Sequence, residues 1–243
     1  MIPLAAAFGY LVTATTIVAI WTPSGVVIGA DGKAIRGGDL AEPETTCKIH
    51  VQNGIAFAFT DFVGSPYSGF FAEGYATKAL SGAEPFERKV IEFERTVSEP
   101  LSEAVNTIRT TNPQGYERDF RGKSLLQVVF AAFDGDTPKM KYIRFDIEET
   151  QTAVRATITL RCEFPSGSDV PTVWALGRNS AISAYLKANS SFYDAALRDP
   201  KKAIQMLIEL EIKAEPDWVG YPMSVVQVSK DGPIWLERPP ECR

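Results

Sequence analysis

The order of the predicted elements constrains the fold of this chain more than any other feature. Short β-branched runs come in groups separated by helical patterns, in the order strands, two helices, strands, two helices, strands. Because consecutive strands pair as hairpins and meanders, this order argues against a doubly wound parallel sheet. It predicts an α+β fold: a four-layer αββα sandwich with two antiparallel sheets between two helical layers.

The opening strands carry the clearest local signals. Thr15–Trp21 and Gly25–Ala30 are β-branched runs joined by a turn, and Lys48–Val51 and Gly54–Thr60 flank an Asn-Gly turn. Several of these runs are almost wholly apolar, which predicts strands buried on both faces. Residues 35–46 are interpreted as a loop.

Helical periodicity follows in two places. Ser65–Leu80 is moderately periodic, and Phe86–Ile108 repeats apolar residues at steps of three and four, with a kink or restart predicted at Pro100. Asn179–Ala188 and Pro200–Ala214 predict two later helices. The remaining predicted strands are Leu125–Phe133, Lys139–Asp146, Ala153–Arg161, Thr172–Leu176, Ser224–Val228 and Ile234–Leu236. Without an internal repeat or linker, residues 15–243 are interpreted as one domain.

The first fourteen residues differ from the rest of the chain. They carry no charge, and they end in Val12-Thr13-Ala14, which has the small residues of a secretory cleavage site. No Lys or Arg precedes the apolar run, so residues 1–14 are interpreted as a signal-like segment or propeptide, with a retained strand as the alternative. A signal would predict a periplasmic or secreted protein, and otherwise a cytoplasmic one.

Composition excludes several classes of function. His50 is the sole histidine, which rules out metal sites and acid/base chemistry that need two histidines. A net charge of -5 argues against a nucleic-acid partner. Three cysteines without a CxxC pair predict neither a zinc ribbon nor a disulfide scaffold, and Cys242 lies in a Pro-rich tail interpreted as loose. No metal and no cofactor are expected.

The chain from Thr15 onward resembles a known family. The stretches TTIVAIW, GVVIGADGKA, CKI and IAFAFTDFVG are similar to the opening of proteasome β subunits and of the bacterial HslV peptidase. These are N-terminal-nucleophile (Ntn) hydrolases, whose αββα sandwich agrees with the order of elements above. The resemblance implies that Thr15 is the nucleophile. It implies that Asp31 and Lys48 act beside it, and that Asp217 and Ser180 support it.

The implied chemistry explains these residue types. A threonine hydroxyl is a weak nucleophile and needs an adjacent base, which a free α-amino group with a pKa of about 7.7–8.0 supplies. The positive charge of Lys48 would favour the neutral amine, and Asp31 would orient Lys48. A backbone N–H within residues 59–62 would bind the oxyanion. Thr15 must then be the first residue, so cleavage after Ala14 is expected.

Family register also implies residues that contact the substrate. Lys33 stands where the family often has Arg. The pocket for the substrate side chain is expected to be mostly apolar and to be lined by Ala34, Thr46, His50, Phe59 and Val63. Asp61 replaces a glycine of the oxyanion turn and places a carboxylate near developing negative charge.

The supporting residues depart from the family pattern in two further places. Arg178 replaces a serine next to a glycine, and Gly220 replaces the serine that follows Asp217. Ala14 precedes the nucleophile where many relatives have glycine, so either self-cleavage is altered or signal peptidase makes the cut. This pattern is typical of a divergent hydrolase.

Three functions remain open at this point. The first is a threonine-type peptidase acting on peptides or unfolded proteins, as a homo-oligomer and possibly a ring, with any ATPase partner undetermined. The second is an Ntn amidohydrolase acting on a small amide. The third is a non-catalytic, proteasome-like assembly subunit that keeps residues 1–14.

Overall fold

The computed structural model describes residues 11–13, 15–36, 44–151, 153–165 and 170–242. Most of the signal-like segment, including Ala14, lies outside these residues. The described strands are β1 (Leu11–Thr13), β2 (Thr16–Thr22), β3 (Gly25–Asp31), β4 (Lys33–Arg36), β5 (Glu44–Thr45), β6 (Ile49–Gln52), β7 (Ile55–Ser65), β8 (Phe70–Phe71), β9 (Ser124–Asp134), β10 (Thr137–Glu149), β11 (Val154–Phe164), β12 (Thr172–Gly177), β13 (Met223–Ser229) and β14 (Gly232–Glu237). The described helices are α1 (Ala72–Leu80), α2 (Phe86–Thr111), α3 (Pro113–Asp119), α4 (Ser180–Ala188), α5 (Phe192–Arg198) and α6 (Pro200–Ala214).

The strands form two antiparallel sheets. The larger has the order β11-β10-β9-β7-β1-β4-β5, and β6 and β8 also pair with β7. The smaller has the order β12-β2-β3-β13-β14. The chain is therefore a mixed α+β protein with antiparallel sheets, as the grouping of strands predicts.

Three apolar clusters pack the sheets and helices against one another. In β2, Ile17 and Ala19 point toward the larger sheet, whereas Val18 and Ile20 point toward α5 and α6. The third cluster packs α1, α2 and α3 on the outer face of the larger sheet. Every residue of β2 is buried because both of its faces are covered, which explains its continuous apolar run.

Several elements differ from the predictions. Helix α1 begins at Ala72 rather than Ser65, because the chain first makes a turn and pairs β8 with β7. Helix α2 continues through Pro100 without a restart, since Val97 and Leu101 on either side are fully buried against the sheet. Short elements that the sequence did not predict are β4, β5, β8, α3 and α5, whereas β1 agrees with the retained strand that was the alternative for residues 1–14. No helix in the described part of the chain is long and apolar enough to cross a membrane.

The cysteines correct another expectation. Cys47 and Cys242 form a disulfide with their Cα atoms 4.9 Å apart, and Cys242 is buried rather than loose. The carbonyl of Cys242 also accepts a hydrogen bond from the Arg238 guanidinium. Residues separated by 195 positions cannot be paired from sequence spacing alone.

We expect the disulfide to stabilise the fold. Cys242→Ala should lower the free energy of unfolding by about 2–4 kcal/mol, because the disulfide restricts the unfolded chain. Urea denaturation with and without a dithiol reductant measures the effect. Cys162→Ala is the control, since Cys162 is a free cysteine. An unfolding midpoint that changes neither with Cys242→Ala nor with the reductant would contradict the prediction.

Candidate active site around Thr15

Asp31 is the centre of a buried hydrogen-bond cluster at the end of β3. Its Oδ1 accepts hydrogen bonds from the Thr16 N–H and from Lys48 Nζ, each at 2.9 Å. Its Oδ2 accepts from the Lys33 N–H at 3.2 Å and from the Gly220 N–H at 3.1 Å. Asp31 is fully buried. Through these four hydrogen bonds, its carboxylate joins the start of β2, the start of β4, the loop before β6 and the segment after α6.

Lys48 brings a buried positive charge to this cluster. Its Nζ donates to Asp31 and, at 2.5 Å, to the Lys33 carbonyl. Burial lowers the pKa of Lys48 below the ordinary lysine value, and the charge of Asp31 opposes that shift. Through one oxygen of Asp31, the ammonium is linked to the backbone of Thr16, the residue after Thr15.

The backbone of Thr15, which directly precedes β2, is held by hydrogen bonds. Its carbonyl accepts hydrogen bonds from the Arg178 N–H at 2.9 Å and from the Thr60 hydroxyl at 3.4 Å. Gly177 has a φ of +69°, and a Cβ added there would stand 2.0 Å from the Thr15 carbonyl oxygen. Glycine is therefore required where β12 passes Thr15.

The hydrogen bonding of the Thr15 hydroxyl differs from that of the Thr15 carbonyl. Oγ1 is buried and has no hydrogen-bond partner in the part of the chain that the structure describes. An unsatisfied buried hydroxyl costs free energy, and such groups in native proteins occur at catalytic sites among other places.

A cavity of about 260 Å³ adjoins Thr15. Its lining includes Asp61, Lys123, Ser124, Arg178 and Trp218. The unsatisfied Thr15 hydroxyl gives this cavity a polar group that a bound molecule can satisfy.

Asp61 lies in this lining with a backbone that few side chains adopt. Its φ is +73°, in the region that favours glycine. Gln127 donates a hydrogen bond of 2.8 Å to Asp61 Oδ2, and Tyr142 donates to Gln127. Burial raises the pKa of Asp61 above its usual range, although the Gln127 hydrogen bond works against this shift.

A second cavity, of about 130 Å³, contains four of the residues predicted to contact a substrate side chain. These are Thr46, His50, Phe59 and Val63. Ala34 is buried outside this lining, and the Lys33 ammonium instead donates to the Pro216 carbonyl at 2.8 Å. Other lining residues are Cys47, Lys48, Phe71 and Glu73.

The surroundings of two predicted catalytic residues, Asp217 and Ser180, differ from those of Asp31 and Lys48. Asp217 is exposed in the turn after α6. Ser180 begins α4, and its hydroxyl donates to Glu211 at 3.2 Å and to Glu215 at 3.4 Å. Glu211 also accepts the N–H groups of the first turn of α4, which gives this part of the chain a helix-capping arrangement. A supporting role for Asp217 or Ser180 stays a prediction.

The structure adds site residues that sequence reasoning missed. Thr60 holds the Thr15 carbonyl, Gln127 holds Asp61, and Glu73 pairs with His50. Thr60 lies within the stretch IAFAFTDFVG that carries the resemblance, whereas Gln127 and Glu73 lie outside such stretches and reach the site from β9 and α1. Arg178, expected as a departure from the family, forms an ion pair with Glu215 and lies 4.3 Å from the ring centre of Trp218.

The described residues hold no group of three or more His, Cys, Asp or Glu side chains suited to a metal ion. No protein-family model matches this chain, and no curated protein matches it. One similar solved structure is Anbu (ancestral beta-subunit) from Yersinia bercovieri, with 13% sequence identity and a TM-score of 0.46. The match covers 93% of this chain and 88% of that one.

Proposed function

We propose that this chain is a threonine-type amide-bond hydrolase of the proteasome-like Ntn class, with an αββα sandwich, and that its substrates are peptides. The observation that carries the proposal is the buried Thr15 hydroxyl, which lacks a partner among the described residues and borders a cavity. Beside it lies the buried Asp31–Lys48 ion pair, with a distance of 2.9 Å. A hydroxyl, a cation and a cavity are the parts that acyl transfer requires.

The reaction begins after residues 1–14 have been removed. The free α-amino group of Thr15 takes the proton of its own hydroxyl, and Oγ1 attacks the carbonyl carbon of the substrate. Lys48 favours the neutral form of the amine through its charge, and Asp31 fixes the Lys48 ammonium. A backbone N–H near Asp61 stabilises the oxyanion. The amine returns the proton to the leaving group, and water then hydrolyses the Thr15 ester.

The position of β1 supports a peptide substrate over a small amide. β1 lies between β4 and β7, where Val12 pairs with Ile35 and Phe62, and Thr13 pairs with Asp61. Removal of residues 1–14 would leave this place open between two strands. An extended peptide could fill it by strand addition, with main-chain hydrogen bonds on both sides.

The disulfide supports maturation by export. Disulfides persist in oxidising compartments such as the periplasm or the outside of the cell. The Cys47–Cys242 disulfide and the signal-like residues 1–14 therefore favour a secreted or periplasmic enzyme, cut by signal peptidase after Ala14. We propose a homo-oligomer for the mature protein. The alternative is the non-catalytic assembly subunit, which would keep residues 1–14.

Intact mass and N-terminal sequencing of the purified protein test the proposal first. We expect a chain that begins at Thr15 and hydrolyses fluorogenic peptides. A matched control keeps Ala14 as its first residue. It should be inactive, because the nitrogen of Thr15 is then an amide and cannot act as a base. Equal activity in the chains that begin at Ala14 and Thr15, or a chain that keeps Met1 and is active, would overturn the mechanism.

A further inference from the structure

The 130 Å³ cavity has an apolar wall and a charged end. Phe59 and Val63 of β7 and Phe71 of β8 form the wall. His50 and Glu73 also line the cavity, and the His50 Nδ1 atom lies 3.1 Å from the Glu73 Oε1 atom. This arrangement suits a side chain with an apolar stem and a polar head.

We propose that this cavity binds the substrate side chain that precedes the cleaved bond, and that Glu73 makes it select lysine or arginine. The inference rests on the proposed peptidase function, which gives the cavity its role. Its new content is the charge of the side chain that the cavity accepts. Family register identifies four lining residues but does not include Glu73.

The charges around the cavity favour a cation. Lys48 contributes to the lining, but its charge is balanced by Asp31 at 2.9 Å, a carboxylate that is fully buried. Glu73 is the carboxylate of this lining, and the hydrogen bond from His50 lowers its pKa below the usual glutamate value. The lowered pKa favours the ionised form of Glu73, whose Oε1 atom lies 3.1 Å from His50 Nδ1.

A neighbouring cavity extends this negative end outward. It shares Thr46, Cys47, His50 and Glu73 with the first cavity and adds Glu241 from the C-terminal tail. The Cys47–Cys242 disulfide holds Glu241 near this place, because Glu241 directly precedes Cys242. A long basic side chain that passes Glu73 would thus meet a second carboxylate.

His50 fixes the position of Glu73 and leaves it able to bind a second donor. The His50 ring stacks on Phe57 with their centroids 5.3 Å apart. A carboxylate has two oxygens with about four lone-pair sites, so Glu73 can accept from His50 and from a guanidinium together. A guanidinium binds a carboxylate more strongly than a neutral amide does.

The first test uses the full chain and two small probes, so it depends on neither processing nor turnover. Butylguanidinium imitates the arginine side chain, and N-butylurea is its uncharged counterpart of the same shape. Ligand-observed NMR titrations should give butylguanidinium about threefold to fivefold tighter binding than N-butylurea. The expected difference in affinity is modest because the Glu73 side chain is 60% exposed.

Variants separate Glu73 from general charge. Glu73→Gln should remove the preference for butylguanidinium, whereas Glu84→Gln, an exposed acidic residue outside this cavity, should keep it. Equal binding of the two probes to the parent chain would overturn the inference. A preference that survives Glu73→Gln would overturn it as well.

The second test uses the processed enzyme. Two fluorogenic peptides differ in the residue before the cleaved bond, which is arginine in one and leucine in the other. Glu73→Gln should lower kcat/KM about tenfold for the arginine peptide and leave the leucine peptide unchanged. An equal fall for both peptides would overturn the inference. Probe discrimination without any turnover would support the preference of the cavity for a cation, and it would overturn the proposed function together with the role in substrate binding that rests on it.

Discussion

Replacing Thr15 with valine is expected to abolish turnover without lowering stability. Valine has the shape of threonine but lacks the hydroxyl, so kcat/KM should fall by at least about a thousandfold. Oγ1 has no hydrogen-bond partner within the described residues, so its loss removes no stabilising interaction seen there. The free energy of unfolding should stay the same or rise by about 1 kcal/mol.

Peptide hydrolysis and urea denaturation on the same protein check both parts of this prediction. Thr15→Ser is the matched control, because it keeps a hydroxyl and should retain activity. A Thr15→Val protein that turns over substrate at the parent rate would show that Thr15 is not the nucleophile. A loss of more than about 2 kcal/mol in stability would show that the hydroxyl serves the fold instead.

The same variant also distinguishes the two routes of maturation. Self-cleavage needs the Thr15 hydroxyl, so Thr15→Val would then leave residues 1–14 attached. Signal peptidase does not need that hydroxyl, so the variant would be cut after Ala14 like the parent. Intact mass separates the two cases.

Breaking the Asp31–Lys48 ion pair is expected to cause the largest loss of stability. Lys48→Met leaves the fully buried Asp31 without its cation, and Asp31→Asn leaves the buried Lys48 without its anion. Removing one partner of a buried pair costs about 3–5 kcal/mol, because the remaining charge is uncompensated. Both single variants should also lose peptide hydrolysis, since Thr15 would lack the ordered cation beside it.

A double-mutant cycle tests the coupling between these two residues. The double variant Asp31→Asn/Lys48→Met contains no uncompensated charge at this position. Its free energy of unfolding should therefore fall by clearly less than the sum of the two single losses. Additive losses measured by urea denaturation would contradict the coupling. The double variant should remain inactive even though part of the stability is restored, because it lacks the Lys48 cation.

The fold was predictable where hydrophobic periodicity is strong. The apolar stripe of α2 and the continuous runs of β2 and β3 predict helices and buried strands at the observed positions. The short elements β5 and α3 were missed because so short a stretch, without a strong apolar run, has little periodicity to detect. Pro100 shows that tertiary packing can maintain a helix that local sequence predicts to break.

The candidate site was predictable only in part. Asp31 and Lys48 lie together, because Asp31 ends β3 and Lys48 directly precedes β6, two strands that the sequence predicts. Glu73, Gln127 and the Cys47 partner were not predicted, since each meets its neighbour across a long stretch of chain. Contacts of this kind depend on how the layers pack, and no local pattern records them.

The position of β1 inside the larger sheet has a consequence for folding and maturation. The chain folds with β1 paired to β4 and β7, so the strand supports a part of the sheet that maturation would later lose. After such a cut, the enzyme would keep a conformation that its own shortened sequence no longer fully specifies. Its persistence would then depend on a high barrier to unfolding, and denatured mature enzyme would recover poorly unless the missing segment were supplied.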